Sequence, residues 1–105
     1  MDILDLVNAI EAGRVRTTDH AEEEAEADGL DMIDVWHSVK TGRVIEDYPS
    51  DYPFPSCLVF GMTRNGEPVH SVCAYNEKTR WAVLVTVYRP DPGRWTEGIY
   101  RRNRS

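Results

Sequence analysis

The sequence WAVLVTVYRPDPGRW, residues 81–95, holds an almost uncharged run rich in β-branched residues, which two prolines bring to an end. Such a run predicts a buried β-strand from Trp81 to Tyr88. Because proline has no backbone N–H to donate to a neighbouring strand, Pro90 and Pro92 end the sheet at this point. The rim of the sheet is therefore predicted to carry the polar and aromatic residues Tyr88, Arg89, Arg94 and Trp95.

Helical patterns precede this strand in the first 42 residues. Their apolar residues recur at the spacing of one helical face, and polar residues and glycines stand where helices begin and end. The predicted segments are a helix over 2–12, an extended segment over 14–17, a helix from Thr18 or Asp19 to Gly29, and a helix from Asp31 to Gly42.

Strand patterns begin after the third helix. Val44-Ile45 is predicted as a strand, a loop rich in proline and tyrosine follows at 48–56, and strands at 57–63 and 67–75 form a hairpin. Helices followed by antiparallel strands predict an α+β fold, with the N-terminal helices packed on a small, mainly antiparallel sheet. A length of 105 residues suits a single domain.

The dipeptide Asn65-Gly66 predicts a two-residue type I′ turn between the hairpin strands. This turn pairs Cys73 with Leu58, which places Cys57 and Cys73 on opposite faces of the sheet. No disulfide is therefore predicted. The two cysteines also lack the spacing of a zinc site, so no metal is predicted from them.

The charge is divided unevenly along the chain, although the net value is −6. Residues 1–51 hold 14 acidic residues against 4 Lys and Arg, whereas residues 52–105 hold 4 acidic residues against 8 Lys and Arg. The basic half suits an anion such as RNA phosphate, or it ends in a disordered basic tail. The tail arginines are Arg101, Arg102 and Arg104.

Several classes of protein are disfavoured by the sequence. No apolar run approaches the length of a membrane span and the first residues are acidic, so a cytoplasmic protein is predicted. The chain has no Ser-His-Asp arrangement in a familiar context, no phosphate-cradling glycine loop and no HExxH motif. These absences argue against hydrolases of those types and against nucleotide cofactors, and no cofactor is predicted.

The second predicted helix carries a first candidate site. His20, Glu24 and Asp28 fall at i, i+4 and i+8 and share one helical face. A nearby carboxylate favours the imidazolium, which suits a general acid or an anion contact. The same three side chains form an incomplete metal shell, or simply a solvated face with an i,i+4 pair.

Two further candidates lie on the strands. His70 is predicted opposite Gly61, either as a hydrogen-bonded core residue or as a catalytic group with room above its ring. At the rim, Arg89 and Arg94 suit phosphate binding. Tyr88 and Trp95 suit stacking on a nucleobase, and Tyr88 also presents a hydroxyl. In the competing interpretation, Arg89 pairs with Asp91 and Trp95 packs a terminal helix onto the sheet.

Taken in order, these segments resemble one family. The strings GRVIEDYP at 42–49 and VTVYRPDP at 85–92, with Arg94-Trp95 after them, are similar to the small bacterial proteins grouped as domain of unknown function 4258. The resemblance covers residues 17–102, with a helix and connection before it and a tail at 103–105. It implies the architecture of RelE-like and BrnT-like toxins, which cleave RNA by acid–base attack of the ribose 2′-hydroxyl and pair with a small antitoxin protein.

The resemblance also implies roles for single residues. It implies a metal-independent ribonuclease in which His20, His70, Tyr88 and Arg89 are catalytic, while the substrate is bound by Arg94, Trp95, Arg101 and Arg102.

One departure from the family pattern concerns the second helix. Many members resemble His-Ala-x-x-Arg-x-x-x-Arg-Gly there, and this chain has Glu24 and Asp28 at the two arginine positions. Because RNA-binding proteins draw affinity from cations, this exchange supports an alternative function. The alternative is a non-catalytic binding or regulatory protein on the same fold, which contacts a partner protein through its acidic helix.

Overall fold

The computed structural model describes residues 1–102, and the predicted tail at 103–105, which includes Arg104, lies outside the described residues. Within residues 1–102, none of the helices combines the length and the apolar composition that crossing a membrane requires. The elements in chain order are α1 (Ile3–Glu11), β1 (Val15–Thr17), α2 (Asp19–Ala27), α3 (Met32–Lys40), β2 (Arg43–Tyr48), β3 (Ser56–Met62), β4 (Pro68–Asn76), β5 (Trp81–Tyr88), β6 (Trp95–Thr96) and β7 (Tyr100–Arg101).

Each helix begins where a short polar side chain accepts a hydrogen bond from a free backbone N–H of the first turn. Asp2 caps α1 and Asp31 caps α3, as the pattern predicts for the third helix. Thr18 caps α2, where its hydroxyl accepts from the backbone nitrogen of Ala21 at 3.1 Å. A helix start at Thr18 is thus confirmed.

The main sheet has five strands in the order β1-β5-β4-β3-β2. Strands β2 to β5 form an antiparallel meander, and only β1 pairs in parallel, with β5. A second, two-stranded sheet joins β6 and β7. The predicted α+β fold with N-terminal helices and a mainly antiparallel sheet is confirmed.

The hairpin between β3 and β4 has a three-residue turn, so the predicted two-residue turn is wrong by one residue. Thr63 and Glu67 pair at its base, where the nitrogen of Thr63 donates to the carbonyl of Glu67 at 2.8 Å. The nitrogen of Gly66 donates to the carbonyl of Thr63 at 2.9 Å, and Gly66 has φ +80°. This is a type I turn followed by a left-handed glycine, the usual form of the three-residue hairpin.

The changed register moves every side chain of the hairpin relative to the prediction. Cys57 lies directly opposite Cys73, so both thiols point to the same face of the sheet, where they are buried and form no disulfide. His70 lies opposite Phe60 and not opposite Gly61. The expected space above the His70 ring is therefore absent, because an aromatic residue replaces the glycine as its neighbour.

The three helices cover one face of the sheet. Helix α3 approaches β3 so closely that a side chain at Gly61 would overlap the backbone carbonyl of Ser38. Small residues on α2, Ala21 and Ala25, are buried against the sheet in the same way. The larger buried residues of this core are Leu6, Val35, Val39, Val59, Val69, Leu84 and Val87.

The opposite face of the sheet carries His70 and is covered at that end by the β6–β7 hairpin. Trp95 in β6 is 5% exposed and packs against the His70 ring. The terminal helix that one interpretation placed here is wrong, since residues 95–102 contain the two short strands β6 and β7 and no helix.

Candidate functional site

A pocket of about 270 Å3 opens at the end of β5, where the prolines stop the strand. Five of the predicted site residues line it together with Asp91, and they come from β5, from the turn after it and from the β6–β7 hairpin. They are Tyr88, Arg89, Arg94, Trp95 and Arg101.

A tight turn brings the residues after the prolines back over the strand. The backbone nitrogens of Arg94 and Trp95 both donate to the carbonyl of Asp91, at 2.9 and 3.0 Å. The Asp91 carboxylate accepts from the nitrogen of Gly93 at 2.8 Å, the local contact that makes aspartate a favoured turn residue. The turn thereby sets an exposed Arg94 beside a buried Trp95.

His70 lies beneath the pocket and is fully buried. Its Nδ1 is 3.2 Å from the hydroxyl of Tyr88, and its Nε2 is 2.5 Å from the carbonyl oxygen of Gly98. The ring stands edge-on to Trp95, with centroids 4.5 Å apart, and to Phe60 at 6.0 Å. Burial lowers the pKa of His70 below its ordinary value of 6.5, because the charged imidazolium loses solvent.

The carbonyl of Gly98 reaches His70 through a hairpin turn in which Glu97 and Gly98 have φ +57° and +73°. The nitrogen of Ile99 donates to the carbonyl of Thr96 at 3.1 Å, which closes the turn between β6 and β7. Two successive positive φ values make this a type I′ turn.

Arg101 is held at the pocket by a pair of hydrogen bonds to Glu46 of β2. Its Nε and Nη2 donate to the two carboxylate oxygens at 2.6 and 2.9 Å, and these bonds lower the pKa of Glu46. Its guanidinium carbon lies 4.6 Å from the centroid of the Trp95 ring. The Tyr48 hydroxyl donates to the same carboxylate at 2.5 Å. Arg101 thus binds the β6–β7 hairpin to β2.

Arg89 makes contacts with α2 and with the β3–β4 hairpin. Its Nε donates to the carbonyl of Asp28 at 3.0 Å, and its Nη1 lies 3.3 Å from Glu67. The competing prediction of an Arg89–Asp91 pair is wrong, because Asp28 and Glu67 take its donors instead.

The other two arginines of the C-terminal segment differ from each other. Within residues 1–102, no side chain or carbonyl accepts a hydrogen bond from the guanidinium of Arg94. Arg102 donates through Nε to the carbonyl of Pro92 at 2.6 Å and lies outside the pocket lining. The structure therefore brings Arg94, and not Arg102, to the pocket.

His20 lies away from the pocket lining, at the edge of β5. Its Nε2 is 3.1 Å from a carboxylate oxygen of Glu24, as the i,i+4 spacing predicts. The same oxygen accepts from the backbone nitrogen of Val87 at 3.2 Å and from the hydroxyl of Thr86. Glu24 thereby links His20 to the strand that carries the pocket.

Asp28 has a separate role from His20 and Glu24. Its carboxylate accepts from the backbone nitrogen of Arg89 at 3.0 Å. Residues 1–102 contain no group of three His, Cys, Asp or Glu side chains that would hold a metal ion. The suggested three-residue ion site on this helix is therefore not formed by the described side chains.

The sequence analysis missed three residues of the site: Glu46, Phe60 and Gly98. They reach it only through strand register and through the C-terminal turn. The one available signal was Glu46, a carboxylate that directly follows the apolar pair Val44-Ile45. A carboxylate in a half-buried strand generally needs a cationic partner.

Comparison with known proteins identifies the family to which the chain belongs. Neither the curated proteins nor the solved structures gave a match to this chain. The family described as domain of unknown function (DUF4258) matches residues 17–89. This range includes His20, His70, Tyr88 and Arg89 and ends before Arg94. Because the match covers more than half of the 105 residues of the chain, the chain belongs to the family of domain of unknown function 4258.

Proposed function

We propose that this protein is a metal-independent endoribonuclease of the toxin type found in toxin–antitoxin pairs, with its active site in the pocket at the end of β5. The observation that carries the proposal is that Arg89, Arg94 and Arg101 line one pocket together with Tyr88, whose hydroxyl lies 3.2 Å from Nδ1 of the buried His70. A pocket that combines cations with a hydroxyl that has a defined hydrogen-bond partner suits an acid–base reaction at a phosphodiester.

Arg94 is the main phosphate ligand in this proposal. Its guanidinium has no partner among residues 1–102, and a free guanidinium presents two parallel donors that match phosphate oxygens. Arg89 and Arg101 already bind carboxylates, at 3.3 Å and 2.6 Å. They contribute positive potential to the pocket while their position is held by Glu67 and Glu46.

The proposed reaction is an intramolecular displacement in RNA. The ribose 2′-oxygen loses its proton and attacks the neighbouring phosphorus, and the bond from phosphorus to the 5′-oxygen of the next nucleotide breaks. The products are a 2′,3′-cyclic phosphate and a free 5′-hydroxyl, whose proton comes from water. Positive charge from Arg94 stabilises the additional negative charge on the phosphate oxygens of the transition state.

The direct test is cleavage of a single-stranded RNA by the purified protein with and without a chelator. We expect cleavage that the chelator leaves unchanged, products that end in a 2′,3′-cyclic phosphate, and no cleavage of the same strand with 2′-O-methyl groups. Arg94→Ala is expected to lower the rate by about 100-fold or more, as for loss of a transition-state charge contact. Lys78→Gln is the matched control, since it removes one positive charge from the exposed turn at the other end of β5.

His20 is assigned an auxiliary role, because it lies outside the pocket lining and is linked to β5 through Glu24. We expect His20→Ala to retain most of the activity, in contrast to Arg94→Ala.

Absence of cleavage at protein concentrations far above those of the RNA would reject the ribonuclease. The alternative, a binding or regulatory protein that uses the exposed acidic face of α2, would then become the leading hypothesis. One observation favours it: Arg89 and Arg101 already have carboxylate partners within the chain.

A further inference from the structure

Both ring nitrogens of His70 have partners whose chemistry differs. At Nε2 the partner is the carbonyl oxygen of Gly98, 2.5 Å away, and a carbonyl only accepts hydrogen bonds. Nε2 must therefore carry the hydrogen of a neutral ring, which leaves a lone pair on Nδ1. The Tyr88 hydroxyl, 3.2 Å from Nδ1, then donates its proton to the histidine.

This direction of donation leaves the lone pairs of the Tyr88 oxygen free. Tyr88 lines the pocket, whereas His70 is fully buried and cannot touch a substrate. We propose that the Gly98 carbonyl sets the His70 tautomer so that Tyr88 is the base that contacts the substrate and His70 is the buried acceptor of its proton. The inference rests on the proposed ribonuclease function and specifies its proton route.

The ribose 2′-hydroxyl gives its proton to the Tyr88 oxygen as the 2′-oxygen forms its bond to phosphorus. At the same time Tyr88 gives its own hydroxyl proton to Nδ1 of His70. Tyr88 ends neutral, His70 ends as an imidazolium that donates from both nitrogens, and no phenolate forms. The imidazolium is stabilised by the carbonyl of Gly98, which already accepts from Nε2.

The surroundings of His70 support a neutral ring at rest. Phe60, Tyr88 and Trp95 enclose it, and the charged groups whose fields reach it are Glu46 of β2 and Arg101 of β7, which pair with each other. Burial lowers the pKa of His70. Burial also raises the pKa of the Tyr88 hydroxyl, which Arg101 acts to lower and Glu46 and Glu24 act to raise. Both groups therefore begin the reaction uncharged.

The turn that aims the carbonyl depends on glycine. Gly98 has φ +73°, and a Cβ there would lie 2.8 Å from Cε2 of Phe60. Gly98 is thus a positioning residue, which acts through His70 and does not contact the substrate.

The tautomer can be measured without any substrate. In the wild-type protein with 15N-labelled histidine, NMR should show His70 with a protonated Nε2 and an unprotonated Nδ1 near pH 7.5. Tyr88→Phe should keep this tautomer while altering the Nδ1 signal, because only the proton donor is removed. An Nδ1-protonated ring or an imidazolium near neutral pH would overturn the proposal.

The kinetic arm uses His70→Gln, whose amide retains a donor and an acceptor but takes up no proton. We expect at least a 100-fold loss of RNA cleavage with this variant and with Tyr88→Phe. Binding of the uncleavable 2′-O-methyl RNA should be unchanged, because the arginines remain. Full activity in either variant would overturn the relay. If the wild-type protein cleaves no RNA, the proposed function fails, and the NMR measurement still decides the tautomer on its own.

Discussion

The carboxylate of Asp28 accepts a hydrogen bond from the backbone nitrogen of Arg89 at 3.0 Å. One helical turn earlier, Glu24 accepts from the nitrogen of Val87, two residues earlier on the same strand. Strand β1 pairs with β5 only as far as Leu84, so no strand among residues 1–102 lies beside the edge of β5 beyond it. The two carboxylates supply the acceptors that a further strand would have supplied, and this assigns a structural role to Glu24 and Asp28.

Replacement of Glu24 tests this edge contact. We expect Glu24→Ala to lower the free energy of unfolding by about 1 kcal/mol, because Val87 and Thr86 lose their acceptor. Glu23→Ala, on the exposed face of the same helix, is the control for the loss of one acidic charge and for helix propensity. Chemical denaturation of the three proteins measures the difference. Equal stability of the two variants would contradict the proposed capping of the strand edge.

The stability of the protein should depend on pH through His70. Its pKa is lowered in the folded state, whereas in the unfolded chain it returns to the ordinary 6.5. Between these two values the unfolded chain binds more protons, so the free energy of unfolding falls as the pH decreases below about 6.5 and is fully recovered above it. Denaturation at about pH 7.5 and 5.5 should show this loss.

The matched variant for the pH effect is His70→Gln, which has no proton to gain. Its stability should change less than that of the wild type over the same interval. The lowered pKa of Asp34, which results from its bonds to Arg64, acts in a different window. Its contribution is lost only when the pH falls below the ordinary carboxyl value of 3.8. If His70→Gln loses as much stability as the wild type between these two pH values, the effect belongs to another group.

Gly61 should tolerate no side chain. Alanine there would overlap the backbone carbonyl of Ser38, so α3 would have to move away from β3, at a cost of about 3 kcal/mol or more. Gly66→Asn is the control, because residue 66 has φ +80° and open space around it, and asparagine accepts the left-handed conformation. Thermal unfolding followed by circular dichroism compares the two. A Gly61→Ala protein as stable as Gly66→Asn would refute the close approach.

Salt dependence should identify the arginine that contacts phosphate. Each phosphate contact to a single strand contributes about 0.7 to the slope of log affinity against log salt concentration. Arg94→Gln should therefore reduce that slope by about 0.7 when binding of the 2′-O-methyl RNA is titrated. Lys78→Gln should leave the slope unchanged. A slope unaffected by Arg94→Gln would remove Arg94 from the RNA-binding residues.

Much of the fold could be predicted because its signals are local. The strand from Trp81 to Tyr88 has the predicted bounds, since its composition and the prolines after it act within a few residues. The hairpin register was missed because Asn65-Gly66 fits two turns: a two-residue type I′ turn, and the end of a three-residue type I turn with a left-handed glycine. The dipeptide alone does not distinguish them, and one residue of difference reverses which face each side chain occupies.

The part of the candidate site that could be predicted from the sequence consists of residues that are close together in the chain. Tyr88, Arg89, Arg94 and Trp95 lie within eight residues of one another and meet in the pocket. The residues that orient them come from distant parts of the sequence, as the Glu46–Arg101 pair shows with a separation of 55 residues. Such pairs follow from strand order and register, which sequence periodicity does not encode.

The opposition of Cys57 and Cys73 has a practical consequence for measuring this protein. Both thiols are fully buried, and burial raises the pKa of Cys57 to about 11, so the reactive thiolate is scarce in the folded state. An alkylating reagent will therefore modify them only in molecules that have opened. The rate of thiol labelling reports how often the sheet and its helices separate, and the protein carries this reporter without any engineered residue.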